Sequence, residues 1–174
     1  MRKNFEETIS VLRSIGLVCD DQSPKLPEEI PQFDDENPCG FRAFRMGVEK
    51  MDLSGLDMRR TFFSKSEISE CNFHSTDLSE SNLCWNDFIN ADFSESILSR
   101  SDMRASIFEG ANFKGANLSS ADMRRSNFNN CNFEGANMSG VKLTRISAST
   151  MGLSEQQRSS IDWQADNGQE PAGG

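Results

Sequence analysis

Residues 111–125 read Ala111-Asn112-Phe113-Lys114-Gly115, Ala116-Asn117-Leu118-Ser119-Ser120 and Ala121-Asp122-Met123-Arg124-Arg125, which are three consecutive copies of a five-residue unit. The central residue of the unit is apolar, and every fifth position from Val48 to Leu143 carries Val, Leu, Met, Ile or Phe. A step of five residues rotates about 140° around an α-helix and alternates between the two faces of a strand. Neither element collects these side chains on one side, so the chain must turn once in every repeat.

The identities of the central residues indicate how many turns make up one coil. From Phe73 onward they run as two aromatic and then two aliphatic residues, so that the pattern repeats every 20 positions. Residues 20 apart therefore stack, and four repeats close one square coil. Ten central side chains are predicted to form the core: Phe73, Leu78, Phe88, Phe93, Leu98, Phe108, Phe113, Leu118, Phe128 and Phe133.

The other repeat positions fit the same geometry. The residue two before the centre shares its face, and positions 61, 66, 71 and onward to 136 are Thr, Ser, Cys, Ala or, once, Asn. The residue one before the centre is Asp or Asn in most repeats, and these side chains bond to nearby backbone and favour turns. With Ala136-Asn137-Met138-Ser139-Gly140, the units quoted above resemble the pentapeptide repeat family, whose pattern is Ala-(Asp/Asn)-Leu-x-x.

This resemblance covers about residues 46–145 and implies an all-β solenoid, a right-handed quadrilateral β-helix of about five coils. The first coil departs from the pattern. Its small-residue positions hold Met46, Met51 and Leu56, and Phe62 stands where Asp or Asn is usual. We expect this coil to be distorted or covered, and we expect the N-terminal connector to cover Phe62 and Ile97.

The N-terminal part divides into an amphipathic helix within residues 1–18 and a proline-rich acidic connector over residues 19–45. Phe5, Ile9, Leu12 and Ile15 recur at helical spacing. Residues 41–44 are predicted to form the first edge strand. A solenoid needs caps because its end coils expose unpaired backbone and core, and capping is the first interpretation of the helix. The second is that a terminal helix forms a homodimer.

Residues 146–174 are predicted to form a C-terminal cap helix and a tail. Ser154 and Gln157 make a capping box, which opens a helix running to about Ile161. That helix would lay Leu153, Ile161 and Trp163 over the last coil. The chain after Asp166 is expected to be disordered.

Composition excludes several classes of protein. The 174 residues carry 27 acidic and 18 basic side chains, for a net charge of −9, so we expect no direct nucleic acid binding. No stretch is long and apolar enough to span a membrane, and a cytoplasmic location is expected. The five cysteines show no paired metal spacing. Cys71 and Cys131 fall on inward positions as packing residues, and neither a metal nor a cofactor is expected.

Catalytic chemistry finds little support in the sequence. The only histidine, His74, lies one residue after a central position and points outward. Its column holds Ser54, Ser94, Lys114 and Glu134, which do not form a nucleophile–base arrangement. The chain is therefore predicted not to be an enzyme.

The outward positions after the central residues predict a basic edge on two adjoining sides of the rod. Only Glu80 interrupts it, and its members are Arg59, Arg60, Lys65, Arg100, Arg104, Arg124, Arg125 and Arg145. Arginine favours carboxylate and phosphate partners, so an acidic partner is one interpretation. The other is ordinary solvation, with salt bridges to the aspartate ladder.

An apolar cluster forms the second surface feature. Trp85, Ile89 and Ile107 should meet around one corner, because 107 stacks on 87, which lies between the other two. Exposed apolar clusters often mark contacts. A contact with a partner or a second copy, and cover by the chain's own N-terminal segment, both stay open.

Three functions follow from these features. The first is a non-enzymatic interaction scaffold that binds a protein partner through the basic edge and the Trp85 corner. The second comes from the resemblance, because some pentapeptide repeat proteins imitate DNA, bind DNA gyrase and protect it from quinolones or peptide toxins. The third is a structural rod whose N-terminal helix is the active peptide, docking in a groove.

Overall fold

The computed structural model describes residues 2–18, 24–28 and 41–165. The elements in chain order are α1 (Phe5–Ser14), β1 (Arg42–Phe44), β2 (Phe62–Ser64), β3 (Lys142–Thr144), a 3₁₀ helix (Ser147–Thr150), α2 (Glu155–Ser159) and β4 (Asp162–Gln164). The strands form two parallel pairs, β1–β2 and β3–β4. Most of the predicted connector and the predicted disordered tail lie outside the described residues.

Parallel bridges with a spacing of 20 residues run through the repeat region. Asp92 bridges Asn112, which in turn bridges Asn132, and the two strand pairs have the same spacing. The Phe113 amide donates to the Asn132 carbonyl at 2.7 Å on one side, and the Asn112 amide donates to the Ala91 carbonyl at 3.0 Å on the other. The spacing in the structure is the superperiod predicted from the central residues.

Two columns of phenylalanine rings fill the interior. Phe73, Phe93, Phe113 and Phe133 stack almost parallel, with centroids 4.9, 5.1 and 5.0 Å apart. Phe88, Phe108 and Phe128 form the second stack at 5.1 Å. The stacks meet edge to face, as Phe108 and Phe113 do at 5.6 Å, an arrangement that aromatic pairs favour. All ten residues of the predicted core are buried.

One column of small residues is polar, and we call Ser66, Asn86, Ser106 and Ser126 the polar seam. The backbone amides of Ser66, Asn86 and Ser106 each donate to the seam side chain 20 residues later, at 3.0, 3.0 and 3.1 Å. The Asn86 side-chain amide also donates to the Phe63 carbonyl at 2.8 Å. These bonds compensate the burial of polar groups, and they account for the single Asn among the small-residue positions.

Helix α1 packs against the N-terminal part of the repeat region. It begins at a capping box between Asn4 and Glu7. This motif is a sequence signal for the start of a helix, but the prediction of this helix rests only on the spacing of its apolar residues. Ile9 and Leu12 belong to the same buried cluster as the repeat core. The Thr8 hydroxyl, itself buried, accepts a bond from the Asp57 amide at 2.8 Å.

The unusual residues at the start of the repeat region are buried or partly buried. Leu56 is buried, and Met46 and Met51 are partly buried against the core. Phe62 is buried as well, and it pairs with Arg42 across β1 and β2. Ile97 is half-buried between Asp77 and Asn117 in the ladder.

The C-terminal segment differs from the prediction. Helix α2 ends at Ser159 instead of about Ile161, and the chain then returns to the coil as β4. Trp163 pairs with Leu143, exactly one 20-residue period later, so it extends a side of the coil instead of lying across its end. The Gln157 side-chain amide holds α2 in place by donating to the Phe133 and Ala136 carbonyls at 2.8 and 3.0 Å.

Candidate functional site

The outward surface is shaped by the two residues that flank each central position. The Asp or Asn before the centre accepts a bond from the backbone amide two residues on, as Asp92 does from Ser94 at 2.9 Å. The second residue after the centre has a left-handed φ, with values from 53° to 62° at its non-glycine positions from Arg45 to Asn130. A positive φ is unusual for residues other than glycine, so each corner presents its side chain in a fixed direction.

Three arginines of the predicted basic edge form bidentate ion pairs with aspartates. The sequence Asp-Met-Arg occurs at residues 57–59, 102–104 and 122–124. In each copy the arginine Nε and Nη2 contact the two carboxylate oxygens at 2.7–2.9 Å. Alternation along a strand places the residues before and after the centre on the same outward face. The paired geometry is the strong form of this contact.

These arginines compensate aspartates that stack on one another. Asp57 bridges Asp77, and Asp102 bridges Asp122, so like charges adjoin across the ladder, an arrangement that destabilises a sheet. Arg104 lies between the second pair, since its Nε is also 3.8 Å from Asp122 Oδ2. The side-chain bonds to aspartate raise the pKa of the Arg59, Arg104 and Arg124 guanidinium groups.

Two further arginines share Glu80. The Arg60 Nε contacts Glu80 Oε2 at 2.7 Å, and the Arg100 guanidinium contacts Glu80 Oε1. The Arg60 hydrogen bond, followed by the charges of both arginines, holds the Glu80 pKa below its ordinary value. Salt bridges to the aspartate ladder, one of the two interpretations of the predicted basic edge, are present at Arg59, Arg104 and Arg124, because the aspartates before each centre belong to the same surface. Arg59, Arg60, Arg100, Arg104 and Arg124 are internally paired.

One corner of the rod carries arginines that have no carboxylate partner among the described residues, and we call it the basic corner. Its residues stand 20 apart in the sequence and are Arg45, Lys65, Trp85, Ala105, Arg125 and Arg145. Among the described residues, no carboxylate lies within salt-bridge distance of Arg45, Arg125 or Arg145. The Arg145 guanidinium lies over the Trp163 ring at 4.9 Å. The pairing of arginines thus separates this corner from the rest of the predicted edge.

Trp85 lies in the middle of the basic corner. It is 60% exposed on a left-handed turn, with a φ of 62°. Ile107 is 37% exposed and bridges Asp87, which lies between Trp85 and Ile89 in sequence. Ile89 is half-buried. The structure therefore places the three apolar residues around one corner, beside its positive charges.

The continuity of this corner is not part of the prediction from the sequence. Arg45 lies outside the predicted edge, and Trp85 belongs to the predicted apolar cluster. The signal is present in the sequence, because counting back 20 positions from Trp85 gives Lys65 and then Arg45. The coil register continues into β1, which makes that count valid one coil before the recognised repeats.

The described residues hold no group placed to bind a metal ion, and their one histidine contacts two serine hydroxyls. No group of three or more His, Cys, Asp or Glu is placed to hold a metal ion in this part of the chain. The His74 ring contacts Ser94 and Ser75 hydroxyls at 2.9 and 3.2 Å. Burial raises the pKa of the Cys84 thiol to about 11 and that of Cys131 to about 12, which disfavours the reactive thiolate.

Comparisons with known proteins agree with this architecture. The family model described as pentapeptide repeats matches residues 51–83, 66–104, 87–125 and 106–145, with eight copies. A comparison with curated proteins finds no match. Across the described residues, no helix reaches the length and apolar character of a membrane span.

Solved structures of several repeat proteins are similar. A pentapeptide repeat protein from the Arabidopsis thaliana thylakoid lumen is 26% identical, with a TM-score of 0.45, over 67% of this chain and 74% of that one. One from Nostoc PCC 7120 is 19% identical, with a TM-score of 0.53, over 59% and 84%. Trypsin-treated QnrB1, a plasmid-mediated fluoroquinolone resistance protein, is 20% identical, with a TM-score of 0.38, over 71% and 62%.

Proposed function

Because this chain belongs to the pentapeptide repeat family, whose members fold as right-handed quadrilateral β-helices and are generally non-enzymatic, we propose that it is an interaction scaffold. It binds a protein partner through the basic corner and the adjoining apolar residues. One observation carries the proposal: Trp85 is 60% exposed on a fixed turn, within a row of cations. Neither catalysis nor a cofactor is part of this function.

The distribution of ion pairs supports the choice of this corner. A partner that approached Arg104 or Arg124 would have to replace bidentate aspartate contacts already made within the chain. Arg125 and Arg145 make no such contact among the described residues, so their charges act directly on a partner. Arginine and tryptophan are the residue types that dominate binding energy at interfaces. The partner surface that fits is acidic, with an apolar group for Trp85.

The arrangement of the rod is part of the same proposal. Five coils span about residues 46–145, the segment 2–18 covers the first coil, and the segment 146–165 closes the last. The contacts of Leu12 and Gln157 with the end coils support these roles. A working rod of this kind needs both ends closed, since unpaired strand edges promote association.

The DNA-mimicking alternative is compatible with the family, and we place it second. DNA mimicry needs a continuous acidic surface, whereas the basic corner carries Arg45, Arg125 and Arg145 without carboxylate partners among the described residues. The fluoroquinolone resistance of QnrB1 belongs to that protein. A gyrase supercoiling assay separates the two functions, because a gyrase ligand alters supercoiling and a scaffold for another partner leaves it unchanged.

The N-terminal helix is less suited to act as a free peptide. Ile9 and Leu12 of α1 are buried in the rod core, so docking in a partner's groove would first require the helix to leave the coil. A homodimer through a terminal helix remains a separate proposal, for which sedimentation equilibrium is the measurement.

The scaffold proposal is tested by capture from native cytoplasmic extract, which is also where we expect the protein to act. Wild type is compared with a Trp85→Ala, Arg125→Gln double variant and with Lys114→Gln, an exposed cation on a different face. The partner should be retained by wild type and Lys114→Gln and lost by the double variant. Its capture should weaken as salt is raised. A partner bound equally by all three proteins at every salt concentration would exclude the basic corner.

A further inference from the structure

An exposed aromatic ring at the N-terminal end of the basic corner is surrounded by cations. Phe44, the last residue of β1, is 40% exposed. The Arg42 and Arg45 guanidinium carbons lie 5.9 and 5.3 Å from its ring centroid, and the Lys65 ammonium lies 5.8 Å from it. Each distance is within the range of a cation–π contact. One ring therefore gathers three positive charges.

The two arginines are held in place by the fold. The Arg42 guanidinium also lies 4.6 Å from the centroid of the Phe62 ring, so two rings position it. Arg45 has a left-handed φ of 54°, and its amide donates to the Ser64 carbonyl at 3.1 Å. A partner that contacts these guanidinium groups meets them already oriented, which reduces the entropy lost on binding.

Arg42 and Arg45 differ from several other arginines of the rod in their ion pairing among the described residues. The arginines at 59, 60, 100, 104 and 124 each contact a carboxylate. Among the described residues, neither Arg42 nor Arg45 has a carboxylate within salt-bridge distance. Like charges held near one ring repel one another, and a bound anion reduces that repulsion. This concentration of positive charge stands out in a chain whose net charge is −9.

We propose that Arg42 and Arg45, on the Phe44 ring, bind a dianionic oxyanion, with the phosphate monoester as its model. Guanidinium groups present planar pairs of N–H donors that match phosphate oxygens. A dianion with three acceptor oxygens satisfies two such groups together, which a single carboxylate does less fully. The site shares Arg45 with the basic corner but does not use Trp85, and it goes beyond the proposed scaffold function by naming a dianionic ligand.

The experiment is a titration of the full-length protein with inorganic phosphate, at constant ionic strength, followed by ¹⁵N NMR. Arginine Nε–H signals are recorded for wild type, for Arg45→Gln and for an Arg42→Gln, Arg45→Gln double variant. Arg125→Gln and Trp85→Ala serve as controls on the same corner. A second titration compares a phosphoserine peptide with its unphosphorylated form, which distinguishes free phosphate from phosphate carried by a protein segment.

The expected result is a saturable shift of the Arg42 and Arg45 signals in wild type and in both controls. The apparent affinity should fall by about tenfold or more in the double variant and by less in Arg45→Gln. Tighter binding of the phosphopeptide would identify the source as a protein segment. Equal signal shifts at Arg125 and Arg42, or shifts that do not saturate, would show only general screening of surface charge by phosphate and would overturn the proposal. Unchanged phosphate affinity in the double variant would also overturn the proposal. Lower melting temperatures of both variants in the absence of phosphate would overturn it as well, because they would show that the cluster is a structural contact.

Discussion

Replacing Phe113 by Ala tests the stacked core most directly. This ring is stacked between Phe93 and Phe133, at 5.1 and 5.0 Å, and meets Phe108 and Phe128 edge to face at 5.6 and 6.2 Å. A buried Phe→Ala substitution costs about 3–5 kcal/mol. Since aromatic pairs add about 0.5–1.5 kcal/mol beyond the buried area, four partners place Phe113 toward the upper end of that range.

Phe133 is the matched control, because it lies at the end of the same stack. Among the described residues its aromatic contacts are with Phe113 and Phe128 only, so Phe133→Ala should cost about 1 kcal/mol less than Phe113→Ala. Urea unfolding followed by circular dichroism gives both values, provided that the m-values agree. A loss below about 1 kcal/mol for Phe113→Ala would refute the stacked core. Phe113→Asp should prevent folding, and a variant that melted like wild type would show the register to be wrong.

Three other substitutions test the end cover and the charge pairing. Leu12→Asp should detach α1 and expose the first coil, so we expect self-association in sedimentation velocity; a monodisperse variant of unchanged stability would show that α1 is not a cap. Arg104→Gln should cost about 0.5–1 kcal/mol by leaving two stacked aspartates uncompensated, whereas Arg125→Gln should change the free energy of unfolding by less than about 0.5 kcal/mol; equal losses would contradict the pairing argument. Because the bond from Arg60 lowers the Glu80 pKa, its contribution is complete above the ordinary value of 4.5 and is lost as the pH falls through the lower folded value. Glu80→Gln should reduce the acid dependence of the melting temperature, and an unchanged pH profile would contradict this assignment.

The core and its register could be predicted from the sequence because burial acts on every repeat. A central position accepts only a large apolar residue, so the residues at twenty successive central positions all indicate the same register. The residues on the surface carry less information about the structure. The pairing of Arg104 with Asp102 follows from strand alternation, yet it appears only when the rows before and after the centre are considered together. Neither residue is unusual by itself.

The return of the chain as β4 was beyond the reach of the repeat pattern. Residues 145–160 break the five-residue step with two short helices, and a three-residue strand has no signature of its own. What places Trp163 on Leu143 is the packing of the intervening segment, including Ile161 in the core. The cluster of Arg42, Arg45 and Lys65 around Phe44 could not be predicted for a related reason, since its members meet only when β1 is stacked on β2.

The polar seam bears on how the rod forms during protein synthesis. The backbone amides of Ser66, Asn86 and Ser106 each bond to a side chain that lies 20 residues later, so the acceptor for one coil is supplied by the next. A ribosome adding about 5–20 residues per second needs roughly 1–4 s to supply it. During that interval the newest coil keeps a solvated turn, and the coil before it has just been completed. Position 146, the next in the series, is Ile, whose side chain accepts no hydrogen bond, so this stepwise growth ends where the chain turns away to form its last helices.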